Sequence, residues 1–241
     1  MKILVKLFVW ISLFSVMGQA NLASAQEKAL VFYGAQFEEF EYRKGDDGED
    51  FLTWDGDVFI GTDEVKLRWL SEGEYDQNSN SFEALENRLV LQMPISTFFD
   101  MRGGVRVDTP KGVDRWYGVL GVTGLAQQWF EVDADLFVSE NGNASARLEV
   151  AYELLLTNYW ILTPSAEINV ALSSDREIGI GSGINDIELG ARLSYDVIDR
   201  SFSPYLGVVY ERKLGQTADF ARDENDDLGG WRLAIGARLM F

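Results

Sequence analysis

Between Trp129 and Leu156 the chain alternates apolar and polar residues through two long arms that meet at an Asn-Gly turn. On the first arm Phe130, Val132, Ala134, Leu136 and Val138 alternate with Glu131, Asp133, Asp135, Phe137 and Ser139. After Glu140-Asn141-Gly142-Asn143, Ala144, Ala146, Leu148, Val150, Tyr152, Leu154 and Leu156 alternate with Ser145, Arg147, Glu149, Ala151, Glu153 and Leu155. A period of two residues marks strands, and Asn-Gly marks a hairpin. Length decides what kind of hairpin. Soluble strands average about 5–6 residues, whereas a tilted strand crossing a bilayer needs about 9–11. One face is apolar throughout and the other is repeatedly charged, which suits lipid on one side and a wet interior on the other.

The same pattern predicts strands over 32–43, 50–60, 64–74, 82–93, 97–108, 115–125, 128–139, 143–156, 160–172, 183–197, 203–215 and 229–241. The expected fold is therefore all-β, a transmembrane antiparallel up-and-down barrel of about 12 strands. Two kinds of connection alternate. Gly61-Thr62-Asp63, Pro94-Ile95-Ser96, Ala126-Gln127 and Thr157-Asn158-Tyr159 are tight. Lys44 to Glu49, Asp76 to Ser81, Pro110 to Asp114, Ser173 to Ser182 and Gln216 to Leu228 are long and polar. Short turns at one rim and long loops at the other belong to Gram-negative outer-membrane barrels, and an even strand number puts both mature termini on the short-turn, periplasmic side. Aromatics sort to the strand ends as two girdles. Phe98-Phe99, Trp129-Phe130, Tyr159-Trp160, Phe202 and Phe241 fall at the short-turn ends, and Tyr42, Phe82, Trp116-Tyr117, Tyr195, Tyr210 and Trp231 at the long-loop ends. A soluble β-sandwich gives no reason for that sorting. The last strand places Trp231, Leu233, Ile235, Ala237, Leu239 and Phe241 on one face, which resembles the C-terminal assembly signal of bacterial outer-membrane barrels.

The N-terminus reads as a secretory leader over residues 1–25: Lys2 and Lys6, an apolar stretch from Leu7 to Met17, then Ala23-Ser24-Ala25. The barrel then occupies 26–241. Beyond the leader there is no apolar run of about 18 residues, so no helical span is expected. Removing the leader takes two lysines and no acid from 21 basic and 39 acidic residues, leaving a formal charge of −20. Nucleic-acid binding needs a basic footprint, so that acidity excludes it. The chain has neither cysteine nor histidine. Disulfides, thiolate sites, His-dependent triads and imidazole-ligated metals are excluded together.

The polar phase puts a dense set of charges in the lumen: Lys66, Arg68, Glu72, Glu74, Arg88, Arg102, Arg106, Asp108, Glu131, Asp133, Asp135, Arg147, Glu149, Glu153, Glu167, Asp186, Glu188, Arg192, Asp196, Glu211, Lys213, Arg232 and Arg238. Ladders of Arg–carboxylate pairs that fill a narrow lumen and fix register account for most such residues. The functional reading is a polar path, or a weak cation site of unpaired carboxylates. Its best candidates are Glu131, Asp133 and Asp135, beside Glu149 and Glu153 on the next strand. No carboxylate pair stands out for glycoside hydrolysis. Gly179-Ile180-Gly181-Ser182-Gly183 lacks the lysine and helix of a phosphate loop and reads as a flexible external loop. The run Asp223 to Asp227 lacks EF-hand spacing and reads as a solvated loop.

Several strings resemble the copper resistance protein B family of outer-membrane proteins. They are Asp114-Arg115-Trp116-Tyr117-Gly118-Val119-Leu120-Gly121-Val122, Trp129-Phe130-Glu131-Val132-Asp133-Ala134, Ala146-Arg147-Leu148-Glu149, Gly179 to Gly183, Asp186-Ile187-Glu188-Leu189-Gly190, Pro204-Tyr205, Glu211-Arg212-Lys213 and Thr217-Ala218-Asp219-Phe220-Ala221-Arg222. The resemblance covers nearly the whole mature chain. It implies an outer-membrane barrel of copper homeostasis that binds or exports the metal, with membrane lipid and either copper ions or a periplasmic copper protein as partners. An enzyme is not expected, because without histidine the chain lacks the usual general base. One departure concerns the metal. Many members carry a Met- and His-rich segment before the barrel, whereas here the barrel is expected within a few residues of Gln26. Met93 and Met101 share phase with lipid-facing neighbours, and only Met240 points inward. Cu(I) prefers thioether or thiolate and Cu(II) imidazole, so the expectation is weak Cu(II) attachment to lumenal carboxylates. The runner-up is a passive pore or scaffold barrel without a metal role.

Overall fold

The computed structural model describes residues 30–46, 48–109, 113–224 and 226–241; the leader expected over 1–25 lies outside them. Among the described residues the chain forms twelve antiparallel strands and one α-helix, with two single-turn 3-10 segments in the connections. The first six strands are β1 (Phe32–Gly45), β2 (Asp50–Gly61), β3 (Lys66–Asp76), β4 (Ser81–Pro94), β5 (Phe99–Asp108) and β6 (Arg115–Leu125). Next come β7 (Phe130–Ser139) and β8 (Ala144–Tyr152), the latter continued by Leu154–Leu155 beyond Glu153. The rest are β9 (Trp160–Ala171), β10 (Gly183–Tyr195), β11 (Phe202–Lys213) and β12 (Trp231–Met240), with α1 (Gly215–Glu224) between the last two. Each strand pairs with its neighbours in sequence. β12 returns to β1, from Gln36 opposite Met240 to Gly45 opposite Arg232, so no edge is left open. Ala35 and Phe241 exchange backbone hydrogen bonds at 3.2 and 2.8 Å, which sets both ends of the described chain on the short-turn rim.

Closure explains the alternation. Leu136 and Ile235 are each 57% exposed on the outside, whereas Phe137, one residue from Leu136, is 2% exposed inside. No helix among the described residues is long and apolar enough to cross a membrane; the apolar outer surface is made of strands. Three tight turns share one device. The hydroxyls of Thr62, Ser96 and Thr157 each accept from the backbone N–H groups two and three residues later, at 2.9–3.3 Å.

The structure differs from expectation at four places. β1 bulges between Phe37 and Glu39, shifting its register against β2. An inserted residue breaks the period-two phase, so both Glu38 and Glu39 border the lumen. Residues 215–224 form a helix rather than strand end and loop, its inner stripe made of Thr217, Ala218 and Ala221. Tyr195 lies at the short-turn rim, with its ring 5.0 Å from that of Trp160, because β10 descends from the long-loop end. Tyr117 is buried facing the lumen rather than in a girdle.

The loop between β9 and β10 is also fastened. Thr217 Oγ1 accepts from the Gly181 N–H at 2.9 Å, and Gln216 Oε1 from the Ser182 N–H at 3.0 Å. The Arg176 guanidinium sits 5.1 Å from the Phe220 ring centroid. Across the mouth, Arg115 pairs with Asp175 and Glu177, both at 3.0 Å. Ile178 and Ile180 of this loop line the upper lumen.

Candidate functional site

The lumen is built from inward residues of every second position, and arginine does most of the joining. Its guanidinium presents five donors in a planar fork that fits carboxylates two atoms at a time. One network spans β3 to β9. Arg102 donates to both oxygens of Asp135, from Nε at 2.8 Å and Nη2 at 2.6 Å. Its Nη1 lies 2.8 Å from Asp133. Arg88 donates to Asp135 at 2.8 Å and pairs with Glu72 and with Glu86. Arg106 holds Asp108 through two bonds and reaches Glu86 at 2.7 Å. Arg147 crosses from β8 to β3, donating to Glu72 at 2.7 Å, and reaches Glu86 of β4 at 3.0 Å. Phe137 lies beneath this network, its ring centroid 4.4 Å from Arg106 and 5.9 Å from Arg147.

A second network closes the seam between the first and last strands. Glu41, 1% exposed, is held by Arg43 at 2.5 Å and Arg192 at 3.0 Å. Both arginines also pair with Glu39, and Arg43 reaches Glu188 on β10 at 3.1 Å. Arg232 joins Glu74 and Glu211 at 3.1 and 2.9 Å.

Glycine makes the first network possible. Gly121 stands between Arg102 and Asp135 in register. A Cβ there would fall inside the Asp135 carboxylate. Overpacking typically costs about 1–3 kcal/mol, so Gly121→Ala is expected to lower the urea midpoint of the vesicle-refolded barrel by a corresponding amount. An unchanged midpoint would mean that the Arg102–Asp135 bridge has room to spare.

The five carboxylates singled out by sequence divide into two groups. Asp133 and Asp135 belong to the first network, and Glu153 pairs with Arg238 and, at 3.1 Å, with Arg200. Glu131 and Glu149 make no ion pair among the described residues. Both line a chamber of about 330 Å³ on the short-turn side, with Asp133 and Asp135. Glu149 faces Asp133 on β7 and Glu167 on β9. Sequence reasoning missed Glu38 and Asp55, which border the same chamber and make no ion pair among the described residues. The signal for Glu38 was present: apolar positions run Phe37, Phe40, Tyr42, a spacing of three and then two, which is how a bulge reads.

Among the described residues no group of three or more acidic side chains converges to hold a metal ion. The donors on offer are oxygens. Met93 and Met101 face each other across β4 and β5, on the outer surface, and Met240 sits on β12. They do not meet as a thioether cluster, so the lumen does not fit a tightly held copper of either oxidation state.

Known proteins resemble this chain in fold and in sequence. A solved structure titled NanC porin superposes with a TM-score of 0.51 over 86% of this chain and 99% of that one, at 9% identity. That likeness concerns the fold alone, an outer-membrane-type barrel. A copper resistance protein B homolog from Pseudomonas syringae pv. tomato is 36% identical over 204 residues, 85% of this chain and 68% of that protein. A copper resistance protein B from Escherichia coli is 35% identical over 213 residues, 88% of this chain and 71% of that protein. The family described as Copper resistance protein B precursor (CopB) matches residues 31–241. On these matches the chain belongs to the copper resistance protein B family.

Proposed function

We propose that this protein is a non-enzymatic barrel of the Gram-negative outer membrane, with its short-turn rim in the periplasm, that handles copper as a cargo held weakly in its lumen. The observation that carries the reading is the short-turn chamber. In a chain of this family it gathers Glu131 and Glu149, together with Glu38 and Asp55, none of them in an ion pair among the described residues. Unpaired carboxylates in a confined space attract cations electrostatically without needing a built cage. Neighbouring Asp133, Asp135 and Glu153 are occupied by arginine and contribute field more than ligation. A copper-carrying periplasmic protein would dock at the short-turn rim, beside this chamber.

Titration of the purified barrel with Cu(II) tests the reading. Weak saturable uptake is expected, and Glu131→Gln with Glu149→Gln should weaken it by about tenfold, or ~1.4 kcal/mol. A strain lacking the protein should be copper-sensitive. Absence of saturable uptake, with a copper-tolerant deletion strain, would sink the proposal. The oxygen-only donor set favours the second reading, a passive pore or scaffold. Conductance indifferent to copper, alongside copper tolerance of the deletion, would select it.

A further inference from the structure

The lumen holds two chambers. A chamber of about 330 Å³ lies towards the long loops, bordered by Arg115, Tyr117, Ile178 and Ile180. Another of about 330 Å³ lies towards the short turns, bordered by Gln36, Glu38, Glu131 and Asp133. Four charged side chains border both: Asp55, Glu72, Arg147 and Glu149. Two of these are the bridge thrown across the barrel, Arg147 of β8 to Glu72 of β3 at 2.7 Å. Arg88 reinforces the bridge by pairing with the same Glu72. The other two, Asp55 and Glu149, have no ion pair among the described residues. Asp55 lies on β2, between the arginine network of β3 to β9 and that of Glu39, Glu41, Arg43 and Arg192.

We infer that the Arg147–Glu72 bridge is the permeation barrier of this barrel, and that the path beside it is cation-selective because Asp55 and Glu149 face it. Arg147 is the element that decides passage. Among the described ion pairs it joins the strands furthest apart in the sheet, β8 and β3, and its carboxylate partners Glu72, Glu86 and Glu167 come from strands on both of its sides. Removing it leaves Glu72 with Arg88, and Glu86 with Arg88 and Arg106. The barrel therefore keeps its remaining pairs when the bridge is cut. A side chain that joins two chambers through ion pairs narrows the passage. Two unpaired carboxylates at the same level repel anions and concentrate cations.

This inference concerns simple ions and does not depend on copper, so it can fail while the copper reading stands, and the reverse. The experiment is single-channel recording of the full barrel in planar bilayers with KCl alone. Arg147→Ala is expected to raise unit conductance at least about threefold over the parent. Arg147→Met, which keeps much of the bulk but not the charge, should raise it less. Glu72→Gln removes the other end of the bridge and should also raise it. In a KCl gradient, Arg147→Ala should show a reversal potential of cation selectivity, and adding Asp55→Asn and Glu149→Gln should move it towards zero. Arg222→Ala, on the exposed face of α1, serves as the control. Heat-modifiable mobility on gels confirms that each variant is folded. Folded Arg147→Ala and Glu72→Gln barrels conducting like the parent would overturn the barrier. A reversal potential unmoved by neutralising Asp55 and Glu149 would overturn the selectivity.

Discussion

Replacing Asp135 by alanine should be among the most destabilising single changes in this barrel. Asp135 is 3% exposed and accepts three hydrogen bonds from Arg88 and Arg102. Cutting a buried pair by removing one partner typically costs about 3–5 kcal/mol, because the other charge stays buried and uncompensated. Here the loss is tempered: Arg102 keeps Asp133, and Arg88 keeps Glu72 and Glu86, so the lower end of that range is expected. Equilibrium urea unfolding in lipid vesicles measures it. The double change Arg102→Leu with Asp135→Leu removes both charges and should recover most of the loss, since apolar replacement of a whole pair is often neutral. Stability of Asp135→Ala within about 1 kcal/mol of the parent would mean that the network is ornament rather than structure.

That network shows where sequence reading succeeds and where it stops. Phase along a strand is local, so Asp135 inside and Leu136 outside followed directly from alternation. The strand ends followed too, because turn residues mark them, although the girdle reading misplaced Tyr195 and Tyr117. Partner choice is not local. Arg147 reaches Glu72, 75 positions earlier, only because the sheet closes and brings β8 across from β3. Nothing in either strand's pattern encodes that meeting. The same limit made Glu131 and Asp135 look equivalent, although among the described residues one makes no ion pair and the other holds two arginines. The bulge at Glu38-Glu39 and the helix at Gly215–Glu224 were missed for a different reason. Each has a local signature, an irregular aromatic spacing and a Thr217–Ala218–Ala221 stripe, but the regular pattern around it was read through.

The donor chemistry and the fold bear on function from opposite sides. Family membership ties the chain to copper resistance, yet its lumen offers oxygen where tight copper sites use sulfur or imidazole. The two agree if copper passes through rather than stays. A cargo site has to release its ion, and weak carboxylate contacts in a wet lumen release quickly, whereas a thioether or imidazole cage would retain it. The proposed barrier fits the proposed copper role, because a conduit for a toxic ion has to be shut to most others.

Placing arginine on the outer face tests what that face touches. Leu136, near the middle of β7 and 57% exposed, is expected to face hydrocarbon. Arginine on the lipid face of a barrel costs about 2–4 kcal/mol at the bilayer midplane and about 0–1 near its interfaces. Leu136→Arg should therefore destabilise the vesicle-embedded barrel by the larger amount. Leu154→Arg, on the continuation of β8 towards the short-turn rim, should cost the smaller. The depth dependence is the informative part. A water-exposed face would tolerate both changes, and a dry protein core would reject both alike. Urea unfolding in vesicles with thinner acyl chains adds a further check, since thinning the hydrocarbon should reduce the Leu136→Arg penalty and leave Leu154→Arg almost unmoved. Equal penalties at the two positions, unchanged by lipid thickness, would remove the bilayer from the account of this fold.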